Sequence, residues 1–160
     1  LTKTMNRNLL FLFFLLASIS VINAVPHLNK RTTSFGKCPP IPGNPVDVTP
    51  LTVVVVPDPI VSGQSATFTI SGTAKEDIPT NAQISIVYNT VNGGFVIGTP
   101  FFAPLCGSGD PCPVTKGEAF TRKLTANAPA LPTAYTTTII INTSAPTEAV
   151  YGCAVATVGA

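Results

Sequence analysis

The stretch Cys106-Gly107-Ser108-Gly109-Asp110-Pro111-Cys112-Pro113-Val114 limits what this chain can become more than any other. Two cysteines flank two glycines, an aspartate and a proline. Glycine reaches positive φ freely and proline pre-sets its own φ, so the segment can turn tightly and close a small covalent loop. Pro113 keeps the backbone out of a helix, and the chain is expected to leave as an extended strand. Runs of alternating apolar and polar residues lie on both sides. The loop therefore reads as a cross-linked connection between two strands.

The N-terminus carries a different signal. After Met5 and Asn6-Arg7-Asn8 comes an apolar run from Leu9 to Ile22, broken only by Ser18 and Ser20, with a small residue, Ala24, at the cut. This is the pattern of a secretory signal peptide over residues 1–24. It is short for a spanning helix. Residues 25–34 read as a short propeptide or linker, with Lys30-Arg31 as a dibasic processing site, and residues 35–160 as the folded domain. Without residues 1–31 the chain keeps five basic and seven acidic residues, a formal charge of −2. Only Arg122-Lys123 are then adjacent cations, so nucleic acid is not expected as a partner.

Secretion implies an oxidising compartment, outside the cell or in a vacuolar–endosomal lumen, and two disulfides from four cysteines. Three pairings are possible. Spacing favours Cys106–Cys112 as a local hairpin clip and Cys38–Cys153 as a staple between the two ends of the domain. Zinc is not expected, because there is no Cys-x2-Cys and the single histidine, His27, precedes the domain.

Sixteen prolines, twelve glycines and only 10% charged residues argue for many short strands joined by turns. Val46, Val48 and Val53–Val56 read as β-structure. Ala66, Phe68 and Ile70 alternate with threonines, and Ile84, Ile86 and Tyr88 repeat the pattern. Asn92-Gly93-Gly94 predicts a hairpin into Phe95 and Ile97. Phe101-Phe102 follow, and as neighbours on a strand they must face opposite ways. Phe120, Arg122 and Leu124 mark a weaker strand, and Tyr135–Asn142 and Val150–Val158 mark the last two. The expected fold is all-β, an immunoglobulin-like sandwich of about seven to eight antiparallel strands. Asn142-Thr143-Ser144 is an N-glycosylation sequon placed at the turn of the final hairpin.

The domain offers little for catalysis. It has no histidine, its cysteines are expected to be oxidised, and its carboxylates fall mostly in turns. No phosphate-binding glycine loop is present. The chain does not read as an enzyme, and no cofactor is expected.

The pattern Cys-x5-Cys-Pro-Val with Gly117 beyond it, one cysteine near each end, and Pro57-Asp58-Pro59 and Gly63 before a β-run resemble the ML lipid-recognition domain. The match runs from about Phe35 to Val158. The resemblance implies two sheets that hold an acyl chain or sterol between them. Lining residues would come from each strand: Phe68, Ile70, Ile84, Ile86 and Tyr88, then Phe95, Ile97, Phe101 and Phe102. Phe120, Leu124, Tyr135, Ile139, Ile141 and Val155 complete the set. By motif position, Phe101 or Phe102 and Phe120 would line the mouth. Two disulfides and the PDP segment look most like the fungal phosphatidylglycerol/phosphatidylinositol carriers, which implies phospholipid before sterol. A monomer that touches membranes transiently is expected, with a lipid-presenting module and a non-lipid structural sandwich as the other readings. A packed core between the sheets would account for Phe68, Ile70, Ile84 and Ile86 without any ligand.

Overall fold

Alternation in the sequence becomes strand almost everywhere it occurs. The computed structural model describes residues 32–159, apart from 92, 93, 108, 110 and 145–147. The segment expected to be a signal peptide, the processing site expected at Lys30-Arg31 and the turn residues Asn92-Gly93 lie outside the described residues. Eight strands are formed: β1 (Thr49–Pro50), β2 (Thr52–Val56), β3 (Ser65–Thr73), β4 (Gln83–Thr90), β5 (Phe101–Pro104), β6 (Ala119–Asn127), β7 (Tyr135–Asn142) and β8 (Val150–Val158). No described residue is helical.

The strands form two sheets, one ordered β1-β8-β7-β4-β5 and the other β2-β3-β6. All pairs are antiparallel except β1 with β8. That short parallel pair replaces the β-run expected at Val46 and Val48. Pro39, Pro40, Pro42, Pro45 and Pro50 have no N–H to give to a ladder, so little strand can form there. The strands run back and forth between two ends of the sandwich. One end gathers the segments around residues 57–64, 94 and 128–134; the other gathers 74–82, 105–118 and the residues after β7.

Cys38–Cys153 ties the entry segment to β8, and Cys106–Cys112 closes the small loop. The loop is not a hairpin clip. β5 belongs to the five-stranded sheet and β6 to the three-stranded one, so the chain crosses between layers here. Backbone bonds between Ile78 and Val114 (2.8 and 3.2 Å) and from Leu105 N–H to the Ala82 carbonyl (2.9 Å) hold the crossing.

Both sheets turn their apolar stripes inward. Ala66, Phe68 and Ile70 on β3 meet Ile84, Ile86 and Tyr88 on β4 and Tyr135, Ile139 and Ile141 on β7 in one buried cluster. Phe68, Ile70, Ile86, Ile139 and Ile141 keep no surface that water can touch, so no water-sized void adjoins them. The sequence led to the expectation of a space that the side chains leave open. Along its middle that space is filled by these side chains.

Candidate functional site

Most of the residues predicted to line a cavity lie on the inner faces, but not as one wall. Phe68, Ile70, Ile84, Ile86, Tyr88, Phe120, Tyr135, Ile139 and Ile141 are buried. Ile97, Phe101 and Leu124 are half-buried and pack against the same cluster. Val155 is on the other face of β8: it bridges Gly36, while its neighbours Ala154 and Ala156 point inward. Phe95 and Phe102 are 74% and 57% exposed.

The three aromatic residues expected at a mouth are therefore separated. Phe101 lies opposite Ile86 and turns inward, and Phe102 lies opposite Ser85 and turns outward. Phe102 walls a shallow hollow of 260 Å³ with Ala82, Gln83 and Pro104. Phe120 belongs to the inner face of the other sheet, opposite Gly72, and reaches a groove of 640 Å³ beside Thr52 and Ala74. Neither hollow is walled by the fully enclosed isoleucines.

Exposed apolar side chains occur along the segment that runs beside β4 as the outer edge of the five-stranded sheet. Gly94 stands at positive φ, and the chain returns beside β4 through bonds from Thr90 N–H to the Phe95 carbonyl (2.9 Å) and from Ile97 N–H to the Tyr88 carbonyl (2.7 Å). Val96, 52% exposed, stands with Phe95 on this return. The residues flanking the predicted turn pair antiparallel, through a single bridge from Asn89 to Val96 and not a full second strand.

Beneath that edge the interior changes character. Tyr88 and Thr137 are direct partners across β4 and β7, and the rings of Tyr88 and Tyr135 meet edge to face at 6.2 Å. The hydroxyls of all three are buried and make no hydrogen bond. Burial, and then the neighbouring Tyr135, pushes the Tyr88 hydroxyl up to about 12. Burial, and then the Asp58 carboxylate, raises Tyr135 as well. At the same end, β3 and β6 present only Ala66 and Ala126, followed by Ala128.

Arg122 is the residue that the sequence reading missed. It lies on the inner face of β6 and is buried. Its Nε–H donates to the Leu105 carbonyl (2.8 Å) and its Nη2 to the Pro111 carbonyl (3.0 Å), with Nη1 on the Thr121 carbonyl (3.0 Å). One guanidinium thus holds both arms of the disulfide loop against the sandwich. The signal was available: Phe120, Leu124 and Ala126 are inward, and period two puts position 122 on the same face.

Asn142 closes β7 and does not lie in the turn beyond it; its Oδ1 accepts from the Ser85 hydroxyl (3.0 Å) on the outer face. Among the described residues, no group of three or more His, Cys, Asp or Glu could hold a metal ion.

The fold and its inner faces define a disulfide-stapled, two-layer β domain with an apolar interior and an apolar exposed edge. A family model described as E1_DerP2_DerF2: ML domain matches residues 32–159. The chain belongs to this family of lipid-recognition domains. It is similar to a crystal structure of a Niemann-Pick type C2 protein from Japanese carpenter ant, at 16% identity and a TM-score of 0.49, covering 78% of this chain and 96% of that one. It is also similar to chicken MD-1 complexed with lipid IVa, at 16% identity and a TM-score of 0.48, covering 78% of this chain and 86% of that one. None of the curated proteins matches the chain.

Proposed function

We propose that this is a secreted lipid-binding protein that takes a lipid between its sheets and passes it from one membrane to another without covalent chemistry. The observation that carries the transfer step is the exposed apolar edge of Phe95, Val96 and Phe102, set beside an apolar interior in a domain of the ML family. Each buried methylene is worth about 0.8 kcal/mol, so a sixteen-carbon chain left in water costs on the order of 12 kcal/mol. A bilayer and a dry protein interior offer similar refuge, which makes exchange nearly neutral overall. The barrier is the exposure in transit, and an apolar edge pressed on the bilayer lowers it.

The enclosed isoleucines require the layers to part before a chain can enter. Inner side chains then trade contacts with one another for contacts with the lipid. The tyrosine end is the easier one to open, because the facing sheet offers alanines there and forfeits little packing.

The test is a vesicle assay with a fluorescent phospholipid, comparing the wild type with Phe95→Asp and Phe102→Asp. Withdrawing one phenylalanine from the bilayer forfeits about 2 kcal/mol, so transfer should slow by about tenfold or more, with the unfolding midpoint unchanged. Equal rates would remove the edge from the mechanism. Phe120 is unsuited to this test, since a buried aspartate there would break the fold. The filled middle of the core favours a second reading, a structural sandwich that holds no lipid. Native mass spectrometry of secreted protein separates the two by the presence or absence of a co-purified lipid mass.

A further inference from the structure

Apart from Arg122, whose guanidinium is bonded to backbone carbonyls, the inner faces of this sandwich turn polar at the end of Tyr88 and Tyr135. There Tyr88, Tyr135 and Thr137, neighbours across β4 and β7, carry three hydroxyls that are all buried and all without a hydrogen bond. A buried polar group with no partner is costly, and native interiors hold few of them. Phenylalanine in place of either tyrosine, or valine in place of the threonine, would keep the shape and remove that cost. Three such groups on neighbouring positions of β4 and β7, at the end where β3 and β6 carry Ala66, Ala126 and Ala128, form a polar patch within an apolar cluster.

We propose that these three hydroxyls are a ligand-binding site inside the sandwich, and that they take an uncharged lipid oxygen, either a hydroxyl or an ester carbonyl. The inference rests on the lipid-binding reading above and adds to it the class of lipid and the direction in which it lies. Hydroxyls both donate and accept, so they suit either kind of oxygen. They do not suit an anion. The one charged group acting on Tyr135 is the Asp58 carboxylate, whose Oδ1 is held by the Thr33 N–H at 2.8 Å. A phosphate or fatty carboxylate brought to this end would meet a like charge in a medium that screens poorly. The buried cation, Arg122, lies toward the middle of β6 and is committed to the loop carbonyls at the other end. The lipid's polar end therefore lies among the tyrosines, at the end opposite the disulfide loop. This runs against the order, phospholipid before sterol, that the family resemblance implied.

The test compares wild type, the Tyr88→Phe/Tyr135→Phe double variant and the single Thr137→Val variant. Three probes are offered from neutral vesicles: the fluorescent sterol dehydroergosterol, a fluorescent diacylglycerol and a fluorescent phosphatidylglycerol. Urea unfolding is measured on the same preparations. The expected result is that wild type binds at least one uncharged probe more tightly than phosphatidylglycerol, with the sterol arm reporting a hydroxyl and the diacylglycerol arm an ester carbonyl. The double variant should lose about tenfold in affinity for that probe, and Thr137→Val should lose affinity in the same direction. The unfolding midpoint should hold or rise in both variants, a combination that a purely structural role for the hydroxyls would not give. Undiminished binding by the double variant overturns the inference and leaves lipid binding standing. A wild-type preference for phosphatidylglycerol also overturns it. Failure of wild type to bind any of the three probes overturns the lipid-binding reading itself.

Discussion

At the scale of single residues, Arg122 and Tyr88 both break the rule that this interior is apolar, and each has a measurable consequence. Arg122 is a buried cation that donates to the backbone carbonyls of Leu105, Pro111 and Thr121. Arg122→Met would leave buried carbonyls of the loop without donors, at a cost of about 3–5 kcal/mol in urea unfolding. Lysine keeps the charge but lacks the planar fork of donors, so Arg122→Lys should recover less than half of the loss; full recovery would show that charge alone matters. Tyr88 acts through its proton. Its hydroxyl is pushed up to about 12 from 10.0, so between those values the unfolded chain has released a proton that the native chain still holds. Stability is then constant below pH 10 and falls as pH rises toward 12, by roughly 1.4 kcal/mol per unit. Tyr135 is shifted in the same direction and steepens the fall. Unfolding midpoints taken at about pH 9 and about pH 11.5 should differ in wild type and differ less in Tyr88→Phe, where Tyr135 alone remains; an unchanged slope in the variant would exclude Tyr88 as a source.

Among the elements, β5 and its approach are the least regular and the most informative. The edge beside β4 is built in two pieces, Phe95–Ile97 and Phe101–Pro104, with Gly98 between them at φ 68. A Cβ at Gly98 would sit 2.6 Å from the Pro129 ring, which cannot swing away. Gly98→Ala should cost about 2 kcal/mol or more from the left-handed backbone and the clash together, read as a lowered unfolding midpoint. An unaffected midpoint would mean that the edge and the segment around Pro129 are not held together. This contact was invisible in the sequence because it joins residues far apart in the chain. What was legible is local. Ala66, Phe68 and Ile70 show their inward face by alternation, and β7 and β8 end where Tyr135, Asn142, Val150 and Val158 were placed. The outward turn of Phe102 and the inward turn of Phe101 also follow from adjacency alone. Arg122 escaped because a charge on a strand reads as surface unless its neighbours are allowed to set the face. Val155 was assigned inward for being apolar, although Ala154 and Ala156 already occupied that phase. Whether the sheets touch or stand apart depends on their separation, and no pattern along one chain encodes that.

For the whole molecule, the two disulfides do different work, and their removal should show it. Cys38–Cys153 closes a loop of 115 residues, and Cys106–Cys112 one of 6. In the chain-entropy account a staple of the first length is worth about 5 kcal/mol and a clip of the second about 2 kcal/mol. The long staple also joins the entry segment to β8, where Gly36 and Val155 exchange backbone bonds at 2.8 and 3.0 Å. The short clip spans a loop that Arg122 and the Ile78–Val114 pair hold independently. A Cys38→Ser/Cys153→Ser variant should therefore lose more stability than Cys106→Ser/Cys112→Ser, by more than loop length alone predicts. Combining Arg122→Met with loss of the clip should cost more than the two changes separately, since each then removes the other's support. Denaturant unfolding of the four variants checks both statements. Equal losses from the two disulfides, with Arg122→Met adding nothing extra, would mean that the loop is held by neither and that the sandwich sets its position unaided.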